Sequence, residues 1–385
     1  MAPKKLRHIP DDLVLDILTT LPVKALKRFR CVCKAWCDLF GNTDFIHAHC
    51  IKQTTLEKER FFVNHYDKTD DECNSVISIF ESDCDEVLNF TETIRIPFNE
   101  VFLNDPFIIG FCNGIVCVSD DVKNIGFWNP ATREYKPLPP LIPSIEPPDD
   151  VDWNMHSKWK LGFGFDQRTN DYKVLSFVLT YFEVYAVSVD EAQLYSLKSN
   201  SWREIPSFPV FAGDFERGSV CFKGNCHWLG YRDGPGYVFE ENPYILSFNM
   251  ADEKFEEFEL PVFGPLNYYI VKLVMVSGSL GVILYTLDPP GRLFDIWVMG
   301  EYGVTESWVK KWSIEAILGL ATISGLAWPL GFLRNYGVFY EDDGGELVLY
   351  NKNTHVFKNL GLCGAKKELQ IVKYVESLMR IDGRQ

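Results

Sequence analysis

The chain has 385 residues, of which 46% are hydrophobic and 15% aromatic, so its composition is that of a folded globular protein and excludes a disordered one. Its formal net charge is −15, yet residues 1–50 hold eight Lys or Arg and five Asp or Glu, which gives +3 there and −18 in the remainder. An acidic body disfavours nonspecific nucleic-acid or anionic-membrane partners and favours basic ones; the alternative is that this charge only keeps an aromatic-rich protein in solution.

The N-terminus lacks the apolar core of a signal peptide, and no run of eighteen apolar residues occurs. The eleven cysteines are an odd number. We therefore expect reduced thiols in a cytoplasmic protein, with the nucleus as a further location.

Two amphipathic helical patterns meet at Leu21-Pro22. The first opens with Pro10, which suits a first helical turn, and one side of it is apolar: Leu13, Val14, Ile17, Leu18 and Leu21. In the second, apolar residues recur in alternating steps of four and three, with basic residues between them: Leu26, Phe29, Cys33, Trp36 and Phe40. A piece of about 35 residues cannot bury two apolar stripes by itself, so it needs a partner. Gly41–Thr43 then predicts a stop and a new cap, followed by a short helix from Asp44 to Ile51.

These residues resemble an F-box, the motif that docks substrate receptors onto cullin–RING ubiquitin ligases. The motifs that carry the resemblance occur together and in register: Ile9–Leu13 (IPDDL), Ile17-Leu18, Leu21-Pro22-Val23, Leu26, Phe29 and Cys31–Trp36 (CVCKAW). An ordinary helical hairpin that caps a domain is the alternative. In this family the segment packs against a small SKP-type adaptor with an acidic surface, through which the cullin and RING subunits are reached. The resemblance implies nine adaptor-binding residues: Pro10, Leu13, Leu18, Leu21, Pro22, Leu26, Phe29, Val32 and Trp36.

From residue 60 onward the pattern becomes that of strands separated by Gly, Asn, Asp and Pro. Five segments predict β-hairpins with a cross-strand aromatic pair, and their leading aromatic residues are Trp128, Tyr195, Phe248, Trp297 and Tyr350. Further strand–turn–strand patterns precede most of them, at 110–117, 220–228, 276–282 and 338–345. Four strands in roughly every fifty residues predict a β-propeller of about six blades. We expect a final strand, 369–375, to pair with the first blade and close the ring.

Motifs in this β region resemble the F-box-associated domain of plant F-box proteins: Gly110–Gly114, Trp128–Arg133, Gly162–Asp166, Asp171–Val174 and Ile245–Phe248. Their pattern is most similar to that of S-locus F-box and S-locus-F-box-like proteins of flowering plants. A kelch repeat would show regular Gly-Gly pairs, and only Gly344-Gly345 occurs, so the domain is kelch-related rather than kelch proper. The predicted fold class is mainly β with an N-terminal helical F-box at 1–50, a linker at 51–59, and a propeller-like substrate-binding domain at 60–378.

The sequence offers little for catalysis, and we expect no catalytic residue, cofactor or metal. His47 and His49 would point to different faces of a short helix. Cys112/Cys117 and Cys221/Cys226 lack the spacing of a zinc site and stand at matching places in two repeats, which is typical of repeat packing. Two alternatives stay open: a propeller enzyme that acts on glycans, and a scaffold that binds the adaptor without causing degradation.

The resemblance implies a non-catalytic subunit of an SKP–cullin–F-box ligase that binds a protein substrate for ubiquitination and degradation. Propeller loops are where we expect the substrate to bind, because irregular backbone is concentrated there. Carboxylates that would suit a basic substrate are Glu146, Asp149, Asp150, Asp152, Asp214, Glu216, Glu240 and Glu241. For each of them, ordinary solvated loop charge is the alternative. A narrower hypothesis follows from the S-locus likeness and the charge of −18: the substrate is a basic secreted ribonuclease that pollen tubes take up in self-incompatibility.

Overall fold

A computed structural model describes residues 9–56, 58–66, 75–82, 87–97, 106–120, 124–142, 157–182, 186–205, 219–230, 243–263, 269–286, 293–315, 329–334, 337–342, 344–364 and 369–382. Within them, four helices precede the strands: α1 (Asp11–Thr20), α2 (Val23–Phe29), α3 (Lys34–Leu39) and α4 (Thr43–Thr55). We call residues 9–56 the helical unit. None of the described helices is long and apolar enough to cross a membrane.

The second predicted helical pattern is wrong in its continuity, because the chain leaves the helix after Phe29 and re-enters it at Lys34. Cys33 has an extended backbone and is exposed, so the apolar pattern fails at that position. The four-and-three spacing nevertheless survives the break, since the rings of Phe29 and Trp36 pack with their centroids 5.5 Å apart. The predicted cap is confirmed: Asn42 Oδ1 accepts the first-turn N–H groups of α4.

The strands in the described residues are β1 (Glu59–Tyr66), β2 (Ser75–Ser82), β3 (Leu88–Arg95), β4 (Phe107–Cys112), β5 (Ile115–Ser119), β6 (Ile125–Asn129), β7 (Glu134–Pro137), β8 (Ser157–Asp166), β9 (Asp171–Phe182), β10 (Ala186–Ser196), β11 (Ser201–Ile205), β12 (Val220–Phe222), β13 (Asn225–Gly230), β14 (Tyr244–Asn249), β15 (Lys254–Glu259), β16 (Tyr269–Val276), β17 (Ser279–Thr286), β18 (Leu293–Met299), β19 (Trp308–Glu315), β20 (Pro329–Leu333), β21 (Gly337–Glu341), β22 (Glu346–Asn351), β23 (Val356–Cys363) and β24 (Gln370–Tyr374).

The described strands form four antiparallel sheets of four strands and one of eight, in which the single residue pair Tyr66↔Cys363 joins two further groups of four. These six groups of four are the blades of a propeller, as predicted. Blade 1 combines the last strand with the first three, in the order β24-β1-β2-β3, and blades 2 to 6 follow as β4–β7, β8–β11, β12–β15, β16–β19 and β20–β23. The first strands of the blades touch their neighbours around a closed ring, β24, β4, β8, β12, β16 and β20. The predicted ring closure is therefore confirmed, with β24 paired to β1 from Arg60↔Tyr374 to Asn64↔Gln370.

Four of the five predicted aromatic hairpins are confirmed, with the paired residues Trp128↔Tyr135, Tyr195↔Trp202, Phe248↔Phe255 and Tyr350↔Phe357. In each, the fifth residue after the leading aromatic has a positive φ: Arg133, Asn200, Glu253 and His355, at 51–64°. The fourth hairpin is wrong in register, because Trp308 pairs with Met299. The turn after Met299, which ends in a 3₁₀ segment at Thr305–Ser307, sets this register, and a bulge between Ile296 and Trp297 shifts the pairing only farther from the turn.

Three of the other predicted strand–turn–strand patterns are the first hairpins of their blades. Their turns are Asn113-Gly114, Lys223-Gly224 and Ser277-Gly278, in which both residues have positive φ, as two-residue type I′ hairpin turns require. The fourth pattern, 338–345, is instead the second connection of blade 6, between β21 and β22.

In each blade, the end of the first strand, the start of the second, the end of the third and the start of the fourth lie at one end of the ring, because successive antiparallel strands reverse direction. We call this end the hairpin face. Blade 1 has no turn between β24 and β1, so the chain enters β1 at Glu59 and leaves β24 at Tyr374 on this face. The helical unit and the C-terminal tail, Val375–Asp382, are therefore brought to the same side of the propeller.

Candidate docking surface

Helix α1 is apolar on two sides with different surroundings. Its inner side holds Leu18, which is 2% exposed, while Leu13 and Ile17 on its outer side are 54% and 55% exposed. The predicted single apolar side is thus divided in two. At 100° per residue its five members spread over about 140° of the helix circumference, which is too wide for one packing partner to cover.

The inner side of the helical unit is continuous with the propeller core. Val23 and Leu26 of α2 are fully buried, in one cluster with Phe163 and Phe165 of β8. A row of packed rings, with centroids 5.3–6.1 Å apart, extends this core from α2 to α4: Phe29, Trp36, Phe40 and Phe45. The inner side of the helical unit is therefore already covered, because it packs in one core with the propeller.

Polar contacts fix the helical unit on the hairpin face above blades 2 and 3. Lys27 Nζ donates a 2.7 Å hydrogen bond to the backbone oxygen of Thr132, in the β6–β7 turn. His47 Nε2 lies 3.1 Å from Oδ1 of Asn170, in the β8–β9 turn. Both turns belong to hairpins, so the position of the helical unit depends on the same turn geometry that orders the blades.

The outer side of the helical unit remains uncovered. Leu13 and Ile17 lie four residues apart on α1, Ile9 stands just before the helix and is 57% exposed, and Val32, in the turn between α2 and α3, is 63% exposed. We call these four the outer apolar residues. The exposed cations Lys24, Arg28 and Lys34 belong to the same unit, and Lys27 has turned to Thr132.

The nine residues predicted to contact an adaptor divide by burial. Pro10, Leu13, Pro22 and Val32 are exposed, and Leu21, Phe29 and Trp36 are partly buried. Leu18 and Leu26 are 2% and 0% exposed, so in this conformation they give an adaptor no surface and instead belong to the core cluster that the helical unit shares with the propeller. Ile9 and Ile17 are exposed but are not among the nine, although Ile17 lies four residues from Leu13 on the same helix.

All eight carboxylates predicted to contact a substrate lie outside the described residues: Glu146, Asp149, Asp150, Asp152, Asp214, Glu216, Glu240 and Glu241. The described strands that border them are β7 and β8, β11 and β12, and β13 and β14. The ends of these strands nearest to those residues lie opposite the hairpin face.

Two of the sequence motifs meet in an ion-pair network between blades 3 and 4. Lys173 Nζ donates to Asp166 Oδ2 at 2.8 Å, to the backbone oxygen of Met250 at 2.7 Å and to Glu253 Oε1 at 2.9 Å. Burial alone would raise the pKa of Asp166, but hydrogen bonds from Lys173 and Thr169 outweigh it and lower that pKa to about 2. These charges are paired with one another and join two blades.

Buried thiols and imidazoles in the described residues are packing groups. Cys221 and Cys226 face each other across β12 and β13 with their sulfur atoms 3.2 Å apart, and burial raises the pKa of the Cys226 thiol well above its ordinary value. Burial lowers the pKa of His49, whose Nε2 lies 2.9 Å from the backbone oxygen of Leu21. Among the described residues, no group of three or more His, Cys, Asp or Glu side chains is placed to hold a metal ion.

Comparison with known proteins gives matches over nearly the whole chain. An F-box domain matches residues 6–47, and an F-box associated beta propeller domain matches residues 59–381. The F-box/kelch-repeat protein At3g23880 of Arabidopsis thaliana is 27% identical, over 89% of this chain and 88% of that protein. The Arabidopsis F-box protein At3g07870 is 26% identical, over 98% and 93%, and the Arabidopsis F-box protein CPR1 is 27% identical, over 80% and 73%.

Solved structures with a similar course of the chain are more distant. An oligogalacturonate lyase in complex with manganese has a TM-score of 0.39 and 9% identity, with 78% of each chain covered. The periplasmic gluconolactonase of Pseudomonas aeruginosa has a TM-score of 0.41 and 10% identity, over 82% of this chain and 85% of that one.

Proposed function

The chain belongs to the F-box proteins that carry an F-box associated beta propeller domain, and from this we propose that it is the substrate-recognition subunit of an SKP–cullin–F-box ubiquitin ligase. An F-box implies that an SKP-type adaptor is bound. F-box proteins themselves are generally non-catalytic. The observation that supports the proposal most directly is the uncovered outer side of the helical unit, beside an inner side that the propeller has sealed.

The outer apolar residues supply the binding energy that adaptor docking needs. Leu13 and Ile17 each expose about half of their side chains, so covering them would contribute roughly 1 kcal/mol apiece. The exposed cations Lys24, Arg28 and Lys34 would complement an acidic adaptor and speed association. Apolar contact therefore provides affinity here, and charge provides orientation.

A receptor of this kind needs no catalytic group of its own. It holds its substrate close to the transfer machinery, so that an encounter between separate molecules becomes effectively intramolecular. We propose the propeller as a non-catalytic binding domain on this basis, rather than as an enzyme that acts on glycans.

We further propose that the substrate binds at the end of the ring opposite the hairpin face. The helical unit and the tail occupy part of the hairpin face, whereas the predicted substrate-binding carboxylates are bordered by strand ends at the other end. The charge of −18 outside residues 1–50 favours a basic protein there. A secreted ribonuclease is the specific form suggested by the S-locus likeness, and absence of the transcript from pollen would end that form.

The docking proposal is tested with the full chain. A Leu13→Asp/Ile17→Asp variant should lose at least about a hundredfold in affinity for a purified SKP-type adaptor, measured by calorimetry, because two charges would enter an apolar contact. Val309 and Val356 have the same exposure, 58%, on outer strands of blades 5 and 6. The matched Val309→Asp/Val356→Asp variant should bind like the wild type. Equal binding by both variants would contradict the assigned surface.

The ligase proposal needs a second readout, because an adaptor-binding scaffold would pass the first. A protein that co-purifies with the wild type should be ubiquitinated when cullin, RING, E1, E2 and ubiquitin are added. It should not be modified with the Leu13→Asp/Ile17→Asp variant. A co-purifying protein that stays unmodified with the wild type would favour the scaffold.

A further inference from the structure

Half of the residues of the C-terminal tail are buried, although the tail has no regular secondary structure. Ser377, Leu378, Met379 and Ile381 are all at most 6% exposed. Chain ends usually fray unless something holds them. This one lies between the propeller and the helical unit, and contacts both.

Blade 2 holds the tail through its turns. Asn129 Nδ2 donates to the backbone oxygens of Ser377, at 3.0 Å, and Met379, at 2.8 Å, with all of these groups buried. Gly114, in the β4–β5 turn, has φ +86°, and a Cβ atom there would lie 2.1 Å from Ser377 Cβ. The absence of a side chain at this turn is what lets the tail lie against the blade.

The helical unit, in turn, is held by the tail. Glu376 Oε2 accepts the backbone N–H of Val23 at 2.9 Å, and Val23 is the first residue of α2, whose cap position is the proline Pro22. Arg60 of β1 fixes the other oxygen of Glu376 at 3.2 Å. Glu376 thus caps a helix that lies 353 residues away in sequence.

The apolar contacts of the tail repeat this arrangement. Leu378, Met379 and Ile381 belong to the same core cluster as the inner residues of the helical unit, Leu18, Val23 and Leu26. Removing the tail would therefore take three apolar side chains out of this cluster and leave the Val23 N–H without its carboxylate. The inner side of the helical unit thus shares its core with the tail as well as with blades 2 and 3.

We propose that the tail makes adaptor binding conditional on a completed propeller, an inference that rests on the proposed function. The strand that closes the ring, β24, leads directly into the tail, so the residues that complete the propeller also cap α2 and seat the helical unit. A chain that lacks them has an open ring and an unseated docking surface. Its apparent affinity falls with the fraction of molecules in which the helical unit is seated. Glu376 acts here as a positioning residue.

The test uses full-length chains and two readouts, hydrogen exchange of the α2 amides without adaptor and affinity for the purified adaptor. In Glu376→Ala, loss of a charge-assisted cap should speed α2 exchange about tenfold or more and weaken adaptor binding several-fold. Exchange in blade 5, β16–β19, should not change. Glu376→Gln keeps an oxygen that accepts the Val23 N–H, and should therefore retain part of the α2 amide protection and part of the adaptor affinity.

A pair of glycine variants tests the same coupling from the propeller side. Gly114→Ala should drive Ser377 from its place and reproduce the effects of Glu376→Ala. Gly278 occupies the same turn position in blade 5, with φ +79°, and a Cβ atom there would have nothing within 4 Å. Gly278→Ala introduces a similar turn strain without touching the tail, so α2 exchange and adaptor affinity should stay as in the wild type.

The outcomes separate this inference from the proposed function. If Glu376→Ala and Gly114→Ala both bind the adaptor as tightly as the wild type, the coupling is overturned and the docking proposal stands. Faster α2 exchange with unchanged affinity also overturns the coupling, because the tail would then seat a unit that binds equally well unseated. A wild type that fails to bind any SKP-type adaptor overturns both.

Discussion

Leu13 and Leu18 lie five residues apart on one short helix, and the first is 54% exposed while the second is 2% exposed. On the inner side of the helical unit, apolar residues meet blades 2 and 3 and the tail; on the outer side, residues of the same kind meet solvent. If the proposed docking surface is right, stability and binding depend on two different faces of one helix. Substitutions on the two faces should separate these properties cleanly.

Stability should show the largest difference between the faces. Leu26→Ala, on the inner side, should lower the free energy of unfolding by about 2–5 kcal/mol, because it leaves a cavity in a packed core. Leu13→Ala, on the outer side, should change it by less than about 0.5 kcal/mol. Denaturant titration of both variants measures the contrast, and similar losses would mean that the outer side is also packed.

Lowering the pH should reduce the free energy of unfolding through one buried neutral histidine, His227. His227 lies in the core of blade 4, with Nδ1 2.9 Å from the backbone oxygen of Val220 and Nε2 2.7 Å from the hydroxyl of Tyr302. Burial lowers the pKa of His227 from 6.5 to about 4, against the opposing hydrogen bond to Val220.

Between these pH values the unfolded chain takes up a proton that the folded chain does not. The free energy of unfolding should therefore fall as the pH drops from 6.5 to 4, by about 3 kcal/mol in full. Urea titrations of the wild type and of His227→Gln across this range measure the contribution. A variant whose stability falls as steeply as that of the wild type would assign the loss to other groups.

The smallest effect should come from the polar contacts between the helical unit and the propeller. Lys27→Met removes the hydrogen bond to the Thr132 oxygen and should cost up to about 1 kcal/mol of stability. Lys24→Met, on an exposed side chain of the same helix, should stay within about 0.5 kcal/mol of the wild type. Equal stabilities of the two variants would show that this contact only orients the unit.

Most of the propeller could be predicted from sequence because each blade repeats the same local chemistry. A cross-strand aromatic pair and a turn that tolerates positive φ specify a hairpin within about ten residues, and four of the five predicted hairpins have the expected pairing. The fourth hairpin has a longer turn, and the sequence indicated that turn but not the residue of β19 with which the pairing begins. Ring closure by β24 followed from counting strands.

The helical unit was harder to predict, because the sequence shows which side chains are apolar and does not show which partner covers them. Leu18 and Leu26 matched the family's docking pattern, yet both are buried in a core cluster that the helical unit shares with the propeller and the tail. The capping of α2 by Glu376 joins residues 353 positions apart, so no local pattern could indicate it. The predicted contacts of the exposed and partly buried residues with an adaptor stay predictions.

The position of the helical unit also has a geometric consequence for the proposed ligase. The unit is anchored to turns of blades 2 and 3, and so lies to one side of the ring axis. Ligase subunits attached through the helical unit would approach a bound substrate from one fixed direction relative to the ring axis. The lysines of the substrate that receive ubiquitin would then be selected by their position around the rim of the propeller rather than by their flanking sequence. If the substrate were bound one blade farther around the ring, a different set of its lysines would be modified.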